Sequence, residues 1–215
     1  MQLYIGNQNY SSWSLRAWLI FEQHKLAVDV IKLKLFTAEF YTTLARVTPT
    51  AKVPLLVDDE VTVWDSLAIL EYINERYLAG KAWPGAFEQR AKARALSAEM
   101  HSGYFSLRNE LPMNCRARRT LQLTEGALND LARVDAIWSE QMALNPDGWL
   151  FGEWSIADAM YAPLALRIET YGIQLSEQAM RYQQKQLNSQ AMQSWLAQAS
   201  LENDIVEEDE AGEPV

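Results

Sequence analysis

The spacing of apolar residues divides the chain into two unlike parts. Before position 78, short apolar stretches switch between strand and helix spacing, whereas after position 88 they recur almost only at helical spacing. This predicts a mixed first domain followed by an all-helical one. The elements predicted for the first part are a strand at 3–5, a helix at 13–24, a strand at 28–35, a short helix or turn at 37–46, strands at 53–57 and 61–63, and a helix at 67–77.

The order of these elements predicts the topology of the first domain. Strands joined by a helix are expected to run parallel, and the two strands around the acidic turn Asp58-Asp59-Glu60 are expected to form an antiparallel hairpin. The expected fold class is therefore α/β for the first domain, with a mixed four-stranded sheet and flanking helices.

The stretch LAGKAWPGAF at 78–87 interrupts the periodicity with two glycines and a proline, which is typical of a linker. No convincing strand follows it, and the long apolar periods beyond it predict an all-α bundle. The predicted helices lie at 89–111, 117–144, 155–171, 176–185 and 188–199. The predicted domains are 1–78, a linker at 79–88, a helical domain at 89–200 and an acidic tail at 201–215.

Length and composition fit a soluble chain of one large or two small domains. It has 215 residues, 49% of them hydrophobic, but no apolar run approaches the ~18 residues that cross a bilayer. The N-terminus has no basic flank followed by an apolar stretch, so no signal peptide is expected. The single cysteine, Cys115, excludes an intramolecular disulfide. We therefore expect a cytoplasmic protein that does not bind membranes.

The negative charge is concentrated at one end. The net charge is −9, but the last fifteen residues carry seven acids and no base, and the remaining 21 acids face 19 bases. A nucleic-acid partner is not expected, because such proteins need a strong basic surface. The tail is predicted to be a frayed, solvated end, with docking to the body of the protein or to a partner as the alternative.

Hydroxyl side chains cluster where the first helix begins. The segment SSWSLRAWL at 11–19 places Ser11, Ser12 and Ser14 at a helix N-terminus. Backbone N–H groups and the helix dipole at such a position lower the pKa of a nearby thiol, and hydroxyls donate to a thiolate. No cysteine is present here, so the thiol would belong to a ligand. The competing interpretation is that one serine caps the helix and the others face solvent.

Two further short motifs fit a peptide-like ligand. Pro54 opens a strand and cannot donate a ladder hydrogen bond; if its peptide bond is cis, the backbone of Val53 turns outward and can pair with an extended peptide. Asp65 and Ser66 open the next helix, where Ser66 would hold a carboxylate and Asp65 an ammonium group. An ordinary helix cap is the alternative.

Taken in order, these motifs resemble the cytosolic glutathione transferase family over most of the chain. The segment at 52–77, KVPLLVDDEVTVWDSLAILEYINERY, resembles the family's glutathione-site segment, and 11–19 resembles its serine-type, zeta-like bacterial branch. FGEWSIADAMYAP at 151–163 resembles the family's helix-capping segment, with Ser155 as N-cap and Asp158 as N3. The resemblance implies a thioredoxin-like first domain, a cis Pro54, a homodimer and a role in detoxification.

The resemblance also implies roles for individual residues. Ser11 or Ser12 would hydrogen-bond the sulfur of glutathione, the cosubstrate, while Tyr4 and Tyr10 are alternative donors. No metal or prosthetic group is implied. The residues expected to bind glutathione are Trp13, Lys52, Val53, Pro54, Asp65 and Ser66, and those expected to line the electrophile site are Tyr104, Phe105 and Arg108.

The expected function is activation of the glutathione thiol for addition to a small electrophile. One alternative is a glutathione-dependent cis-trans isomerase of the maleylacetoacetate type. Trp13 stands where zeta-type enzymes usually carry a cysteine, which weakens that assignment and argues against thiol exchange. The other alternative is a non-enzymatic binding module on a transferase-like fold.

Overall fold

The computed structural model describes residues 1–215 and confirms the mixed sheet of the first domain. The pairing order is β2-β1-β3-β4 in the labels below, with β1 parallel to β2 and antiparallel to β3, and with β3 and β4 forming the predicted hairpin. The elements of this domain are β1 (Gln2–Ile5), α1 (Ser12–His24), β2 (Asp29–Lys32), α2 (Ala38–Leu44), β3 (Leu55–Asp58), β4 (Val61–Trp64) and α3 (Ser66–Tyr77).

The rest of the chain is helical apart from two short strands, β5 (Arg119–Thr120) and β6 (Glu213–Pro214), that the sequence pattern did not predict. None of the helices is both long enough and apolar enough to cross a membrane. The helices of this part are α4 (Phe87–Ser102), α5 (Phe105–Glu110), α6 (Glu125–Leu144), α7 (Ile156–Thr170), α8 (Glu177–Leu187) and α9 (Gln190–Ala199).

The single helix predicted at 89–111 is wrong, because the chain breaks between α4 and α5. Gly103 is extended, and Tyr104 adopts a left-handed conformation with φ 58°. A non-glycine residue in that region ends helical geometry. The break turns α5 away from the axis of α4 and gives Arg108 its own position beside the first domain. The helix predicted from 117 likewise begins only at Glu125, since the segment before it forms β5.

One apolar core spans both domains and sets their relative position. It contains 46 buried residues, which come from β1, β3, α1, α3, the linker and the second part of the chain. The rings of Trp18 on α1 and Trp195 on α9 lie 5.3 Å apart, and the buried Arg16 donates from Nε to the carbonyl oxygen of Met160 on α7 over 3.0 Å. Helix α1 is therefore fixed against α7, which brings residues of both domains to its N-terminus.

The predicted capping box at the start of α7 is confirmed. Asp158 is fully buried, and its Oδ2 accepts from the backbone N–H of Ser155 over 2.8 Å and from its hydroxyl over 3.0 Å. The other oxygen accepts from the N–H of Leu150 and from the hydroxyl of Tyr182. Burial raises the pKa of Asp158 to about 6, against the lowering effect of these hydrogen bonds.

The expectation of a frayed, solvated acidic tail is wrong, and the structure favours the docking alternative. Residues 202–215, here called the C-terminal strap, lie against the first domain and the start of the second. Glu202 is buried and accepts from the backbone N–H groups of Gln8 and Asn9 over 2.9 and 3.0 Å. Glu210 pairs with Arg119, and β6 pairs with β5. Glu202 and Glu210 of the strap thus bind donor groups in distant parts of the chain.

Candidate functional site

Two adjoining cavities lie between the domains beside the N-terminus of α1. The first, of about 550 Å³, is lined by Ser11, Ser12, Arg108 and Arg167 among others, and is called here the Ser12 cavity. The second, of about 490 Å³, is lined by Pro54, Asp65, Ser66 and His101 and is called the Ser66 cavity. They form one groove, since four residues line both cavities: Trp13, Thr50, Lys52 and Val53.

Ser11 caps α1 and belongs to a chain of hydrogen bonds that starts in the preceding strand. The N–H of Gly6 donates to Ser14 Oγ over 3.0 Å, and the two hydroxyl oxygens of Ser14 and Ser11 lie 2.7 Å apart. Because Ser14 Oγ already accepts from Gly6, its own hydrogen is available for Ser11. Ser11 Oγ also accepts from the N–H of Ser14 over 3.4 Å. Either hydroxyl can donate across the Ser11–Ser14 contact, and when Ser14 donates, the hydrogen of Ser11 is free for a group in the Ser12 cavity.

Ser12 has a partner that the sequence did not reveal. Arg167, buried on α7, donates from Nη2 to Ser12 Oγ over 3.3 Å, while its Nη1 is held by the carbonyl oxygens of Arg108 and Leu111. A hydroxyl oxygen that accepts from a cation becomes a stronger donor through its own hydrogen. Ser11 and Ser12 both line the Ser12 cavity.

Three arginines surround this serine pair. The guanidinium carbons of Arg16 and Arg108 lie 4.3 and 4.7 Å from the ring centroid of Trp13. Burial lowers the pKa of Arg16 well below its ordinary value and that of Arg167 to about 10, with further lowering by neighbouring arginines. Because an arginine side chain is not deprotonated in proteins, the N-terminus of α1 sits in a strongly positive field.

Val53 has the exposed backbone that a peptide-like ligand needs. The Val53–Pro54 peptide bond is cis, as the resemblance implied. Neither the N–H nor the carbonyl of Val53 forms a hydrogen bond within the chain. Because Val53 lines both cavities just before β3, an extended ligand in the groove would find one donor and one acceptor there.

Ser66 is a buried hydroxyl without a partner. Its side chain is 1% exposed at the first position of α3, and its Oγ forms no hydrogen bond in the chain. Asp65 caps the same helix, because its Oδ1 accepts from the N–H groups of Leu67 and Ala68. Its Oδ2 lies 3.1 Å from Nε2 of His101, which belongs to α4. A histidine of the second domain thus completes the wall of the Ser66 cavity.

Lys52 and Trp13 stand where the two cavities meet. Lys52 is exposed and forms no hydrogen bond or ion pair within the chain, so its ammonium group is free for an anionic ligand. The Trp13 ring is wedged between Arg16, Arg108 and the edge of the His101 ring. It therefore separates the arginines from the Ser66 cavity.

Two of the three residues predicted for the electrophile site lie elsewhere. Tyr104 is buried with its hydroxyl on Glu99 Oε1 at 2.7 Å, and Phe105 is 66% exposed; neither lines a cavity. The break between α4 and α5 explains this, because it rotates both side chains away from the groove. Arg108 does line the Ser12 cavity. The cavity residues expected on one long helix are therefore replaced by Arg108 on α5 and by Pro112 and Met113, which follow α5.

The tyrosine alternatives to the serines are poorly placed as thiol partners. Tyr4 lines neither cavity. Tyr10 lines the Ser12 cavity, but its hydroxyl donates to Glu210 Oε1 over 2.5 Å and accepts from Arg116. Burial and the contact with Glu210 raise the pKa of Tyr10. Its hydrogen is therefore committed to the C-terminal strap.

The C-terminal strap also contributes to the Ser12 cavity, which sequence reasoning missed. Asp209 lies in a short 3-10 helix at Glu207–Asp209 and lines the cavity opposite Arg167. Burial raises the pKa of Asp209 to about 6, and the charge of Arg167 opposes that rise. No local pattern around Asp209 distinguishes it from the other acids of the strap, so only the fold reveals its position.

One family model matches most of the first domain. Residues 10–76 match the model described as glutathione S-transferase, N-terminal domain. The first domain is therefore similar to that family. It contains every residue predicted to bind glutathione, from Trp13 to Ser66. The serines at 11–12 fall inside the same match.

A solved structure extends the likeness to nearly the whole chain. A glutathione transferase homolog from Burkholderia gl BGR1, with bound glutathione, superposes with a TM-score of 0.73 and 25% identity, over 93% of this chain and 97% of that one. The chain therefore has the glutathione transferase fold, with the thioredoxin-like first domain and helical second domain that the resemblance implied.

Curated relatives are matched only in part. A stringent starvation protein A homolog from Haemophilus ducreyi is 28% identical over 131 residues, which is 60% of this chain and 58% of that protein. A probable maleylacetoacetate isomerase from Caenorhabditis elegans is 32% identical over 107 residues, 50% of this chain and 49% of that protein. The chain thus spans about half the length of these relatives.

Proposed function

We propose that this protein is a serine-type glutathione transferase that activates the glutathione thiol for addition to a small electrophile. The unpartnered hydroxyl of Ser66 carries the proposal. A buried donor without a partner costs about 1–3 kcal/mol, and a carboxylate at the head of α3 would remove that cost. The similar protein from Burkholderia gl BGR1 holds glutathione, whose γ-glutamyl carboxylate is such a group.

The groove offers a partner for each part of the tripeptide. Ser66 would bind the γ-glutamyl carboxylate and Asp65 its ammonium group, sharing the Asp65 carboxylate with His101. The free backbone of Val53 would pair with the cysteinyl unit, and Lys52 would meet the glycyl carboxylate. This order places the cysteinyl sulfur beside Trp13, at the start of α1.

Ser11 and Ser12 would then favour the thiolate. An ordinary thiol has a pKa of about 8.5, and lowering it below 7 takes roughly 2 units, or about 3 kcal/mol of preferential thiolate binding. Two hydroxyl donors and the field of the three arginines are adequate sources. The thiol proton leaves to solvent. The sulfur lone pair forms the bond to the electrophilic carbon, and a leaving group departs with its bonding electrons.

Isomerisation with glutathione regenerated is a second candidate, since a probable maleylacetoacetate isomerase is among the relatives. In that reaction the thiolate adds to a double bond, the adduct rotates, and elimination returns the thiol. Trp13 in place of the cysteine of zeta-type enzymes favours conjugation. We include in the proposal a cytoplasmic homodimer with a role in detoxification, as the family resemblance implies.

Glutathione binding by calorimetry tests the proposal directly. Wild-type protein is compared with Ser66→Ala and with a control, Ser200→Ala, whose exposed hydroxyl lies outside both cavities. Saturable binding weakened about tenfold by Ser66→Ala and unchanged by Ser200→Ala is expected. An absence of binding at millimolar glutathione would leave the binding-module alternative, to which the similarity to a stringent starvation protein A homolog gives some support.

A further inference from the structure

The three arginines around Trp13 lack the acidic partners that buried charges normally have. Arg16, Arg108 and Arg167 belong to three different helices, and none has a carboxylate oxygen within 4.0 Å. The chain has 28 acidic residues, and exposed arginines such as Arg133 do pair with them. Buried arginines are rare unless they are paired, so an absent anion is the natural partner of this group.

Unused hydrogen-bond donors point to the same conclusion. Nη1 of Arg16 and Nε of Arg167 are buried and have no partner in the chain. Arg108 is half-buried; its Nη1 is held by the carbonyl oxygens of His101 and Gly103, while its Nε and Nη2 form no hydrogen bond. Arg108 is therefore anchored through one nitrogen and offers two donors to the Ser12 cavity, which is the geometry that binds a carboxylate in a bidentate manner.

The charged residues that line the Ser12 cavity favour anions. Lys52, Arg108 and Arg167 line it as cations, and Asp209 is the one acid among its lining residues. In the proposed pose Lys52 meets the glycyl carboxylate of glutathione, and the thiolate lies at the serine pair, where Arg167 donates to Ser12. The two free donors of Arg108 are left for the second substrate.

The walls of the cavity limit the shape of that substrate. Apolar and aromatic side chains face the arginines across the space of about 550 Å³. A flat apolar body fits against such walls, while its charged end reaches the arginines. The apolar and aromatic residues lining this part are Tyr10, Leu35, Phe36, Phe40, Tyr41 and Met113.

We propose that the second substrate is a small aromatic or similarly flat electrophile bearing one carboxylate, and that Arg108 binds this carboxylate. The inference rests on the proposed function and adds its substrate class. It places the negative end of the substrate beside Trp13 and the electrophilic carbon over the serine pair. A neutral electrophile of the same shape leaves the two free donors of Arg108 without an anionic partner and binds less tightly.

Two matched, unreactive probes test this inference. Protein is first titrated with glutathione by calorimetry, and the glutathione-saturated protein is then titrated with 3-nitrobenzoate and with 3-nitrobenzamide, which has nearly the same shape without the charge. The benzoate is expected to bind at least about tenfold more tightly. Arg108→Gln is expected to remove most of that preference, Arg108→Lys to keep part of it, and the exposed control Arg181→Gln to leave it intact.

The reactive counterparts extend the test to turnover. With 4-chloro-3-nitrobenzoate, the thiolate forms a carbon–sulfur bond as the carbon–chlorine bond breaks and chloride leaves with the electron pair. The kcat/KM of each substrate is divided by the rate of its uncatalysed reaction. The resulting ratio is expected to be higher for the benzoate than for 4-chloro-3-nitrobenzamide, and Arg108→Gln is expected to reverse this order.

The outcomes separate the two proposals. Failure of the first titration, with no glutathione bound, contradicts the proposed function itself. Glutathione binding with equal or tighter binding of the benzamide overturns the carboxylate inference alone, as does glutathione binding with neither probe bound. A preference for the benzoate that survives in a folded Arg108→Gln variant overturns the role of Arg108. If that variant does not fold, the ratio of the benzoate and benzamide affinities, measured in the wild type and in Arg108→Lys, still tests the inference.

Discussion

Arg167 Nη2 lies 3.3 Å from Ser12 Oγ, and this hydrogen bond joins the second domain to the start of α1 in the first. The sequence does not predict this contact, because the two residues are 155 positions apart and meet only where α7 packs on α1. The contact makes Ser12 a polarised hydroxyl rather than a simple surface serine. Under the proposed function, Arg167 would be a positioning residue that acts on the thiol through Ser12 and through its charge.

Replacing Arg167 with methionine is expected to raise the pKa of the bound glutathione thiol by about 1 unit or more, because the thiolate loses a nearby charge and a polarised donor. Ultraviolet absorbance of the thiolate, followed against pH, measures this. Arg167→Lys is expected to restore part of the shift. If Arg167→Met leaves the titration curve in place while lowering only thermal stability, its role is purely structural.

The double variant Ser12→Ala with Arg167→Met is expected to show less than the sum of the two single effects on thiol pKa. Part of the effect of Arg167 passes through Ser12, so removing both removes the shared portion once. Ser11→Ala serves as the comparison, since Ser11 depends on Ser14 rather than on Arg167. Additive effects of Ser12 and Arg167 would argue that the arginine acts by charge alone.

Ser66→Ala is expected to weaken glutathione binding without lowering stability. Its hydroxyl has no partner in the chain, and removing an unpaired buried polar group is close to neutral or stabilising. Urea denaturation without glutathione should therefore give a midpoint equal to or slightly above that of the wild type. A clear loss of stability would mean that Ser66 has an internal role after all.

Asp158→Ala is expected to lower the free energy of unfolding by about 3–5 kcal/mol, because it leaves several buried donors unpaired. Ser155→Ala removes only part of the cap and should cost about 1 kcal/mol. Chemical denaturation measures both. Asp147→Ala, at an exposed carboxylate in the turn before α7, is the matched control and should change little.

Asp209 is expected to give stability a measurable pH dependence. Its pKa in the folded protein is raised to about 6, above the ordinary value of about 3.9 expected when unfolded. Between these values the folded state binds more protons, so the contribution of Asp209 to stability falls as pH rises from about 4 to 6. Asp158 acts in the same direction.

The matched variant for that experiment is Asp209→Asn. The free energy of unfolding is measured for the wild type and the variant at several pH values. The wild-type value minus the variant value is expected to decrease as pH rises through this window. Carboxylates with lowered pKa values, such as Glu99, lose their contribution only on further acidification. A flat difference across the window would show that Asp209 is well solvated.

Local signals predicted the first domain well, and long-range contacts explain what they missed. Ser11, Pro54 and Ser66 sit beside strand and helix boundaries that composition and spacing reveal, so the turns they belong to were predictable. Arg167 lies on a helix buried on nearly every side, where no periodicity distinguishes a functional face. The acids of the C-terminal strap resembled a solvated run, because their partners are scattered over the rest of the chain.

The position of Glu202 has a consequence for the order in which the protein is made. The loop that leads into Ser11 is held by a carboxylate 194 residues later in the chain. A ribosome releases the N-terminal domain long before it synthesises that carboxylate, and domains usually begin to fold as they emerge. The thioredoxin-like domain is therefore expected to form first with an unsettled active-site loop. Competence to bind the thiol would arrive only once Glu202 has been synthesised.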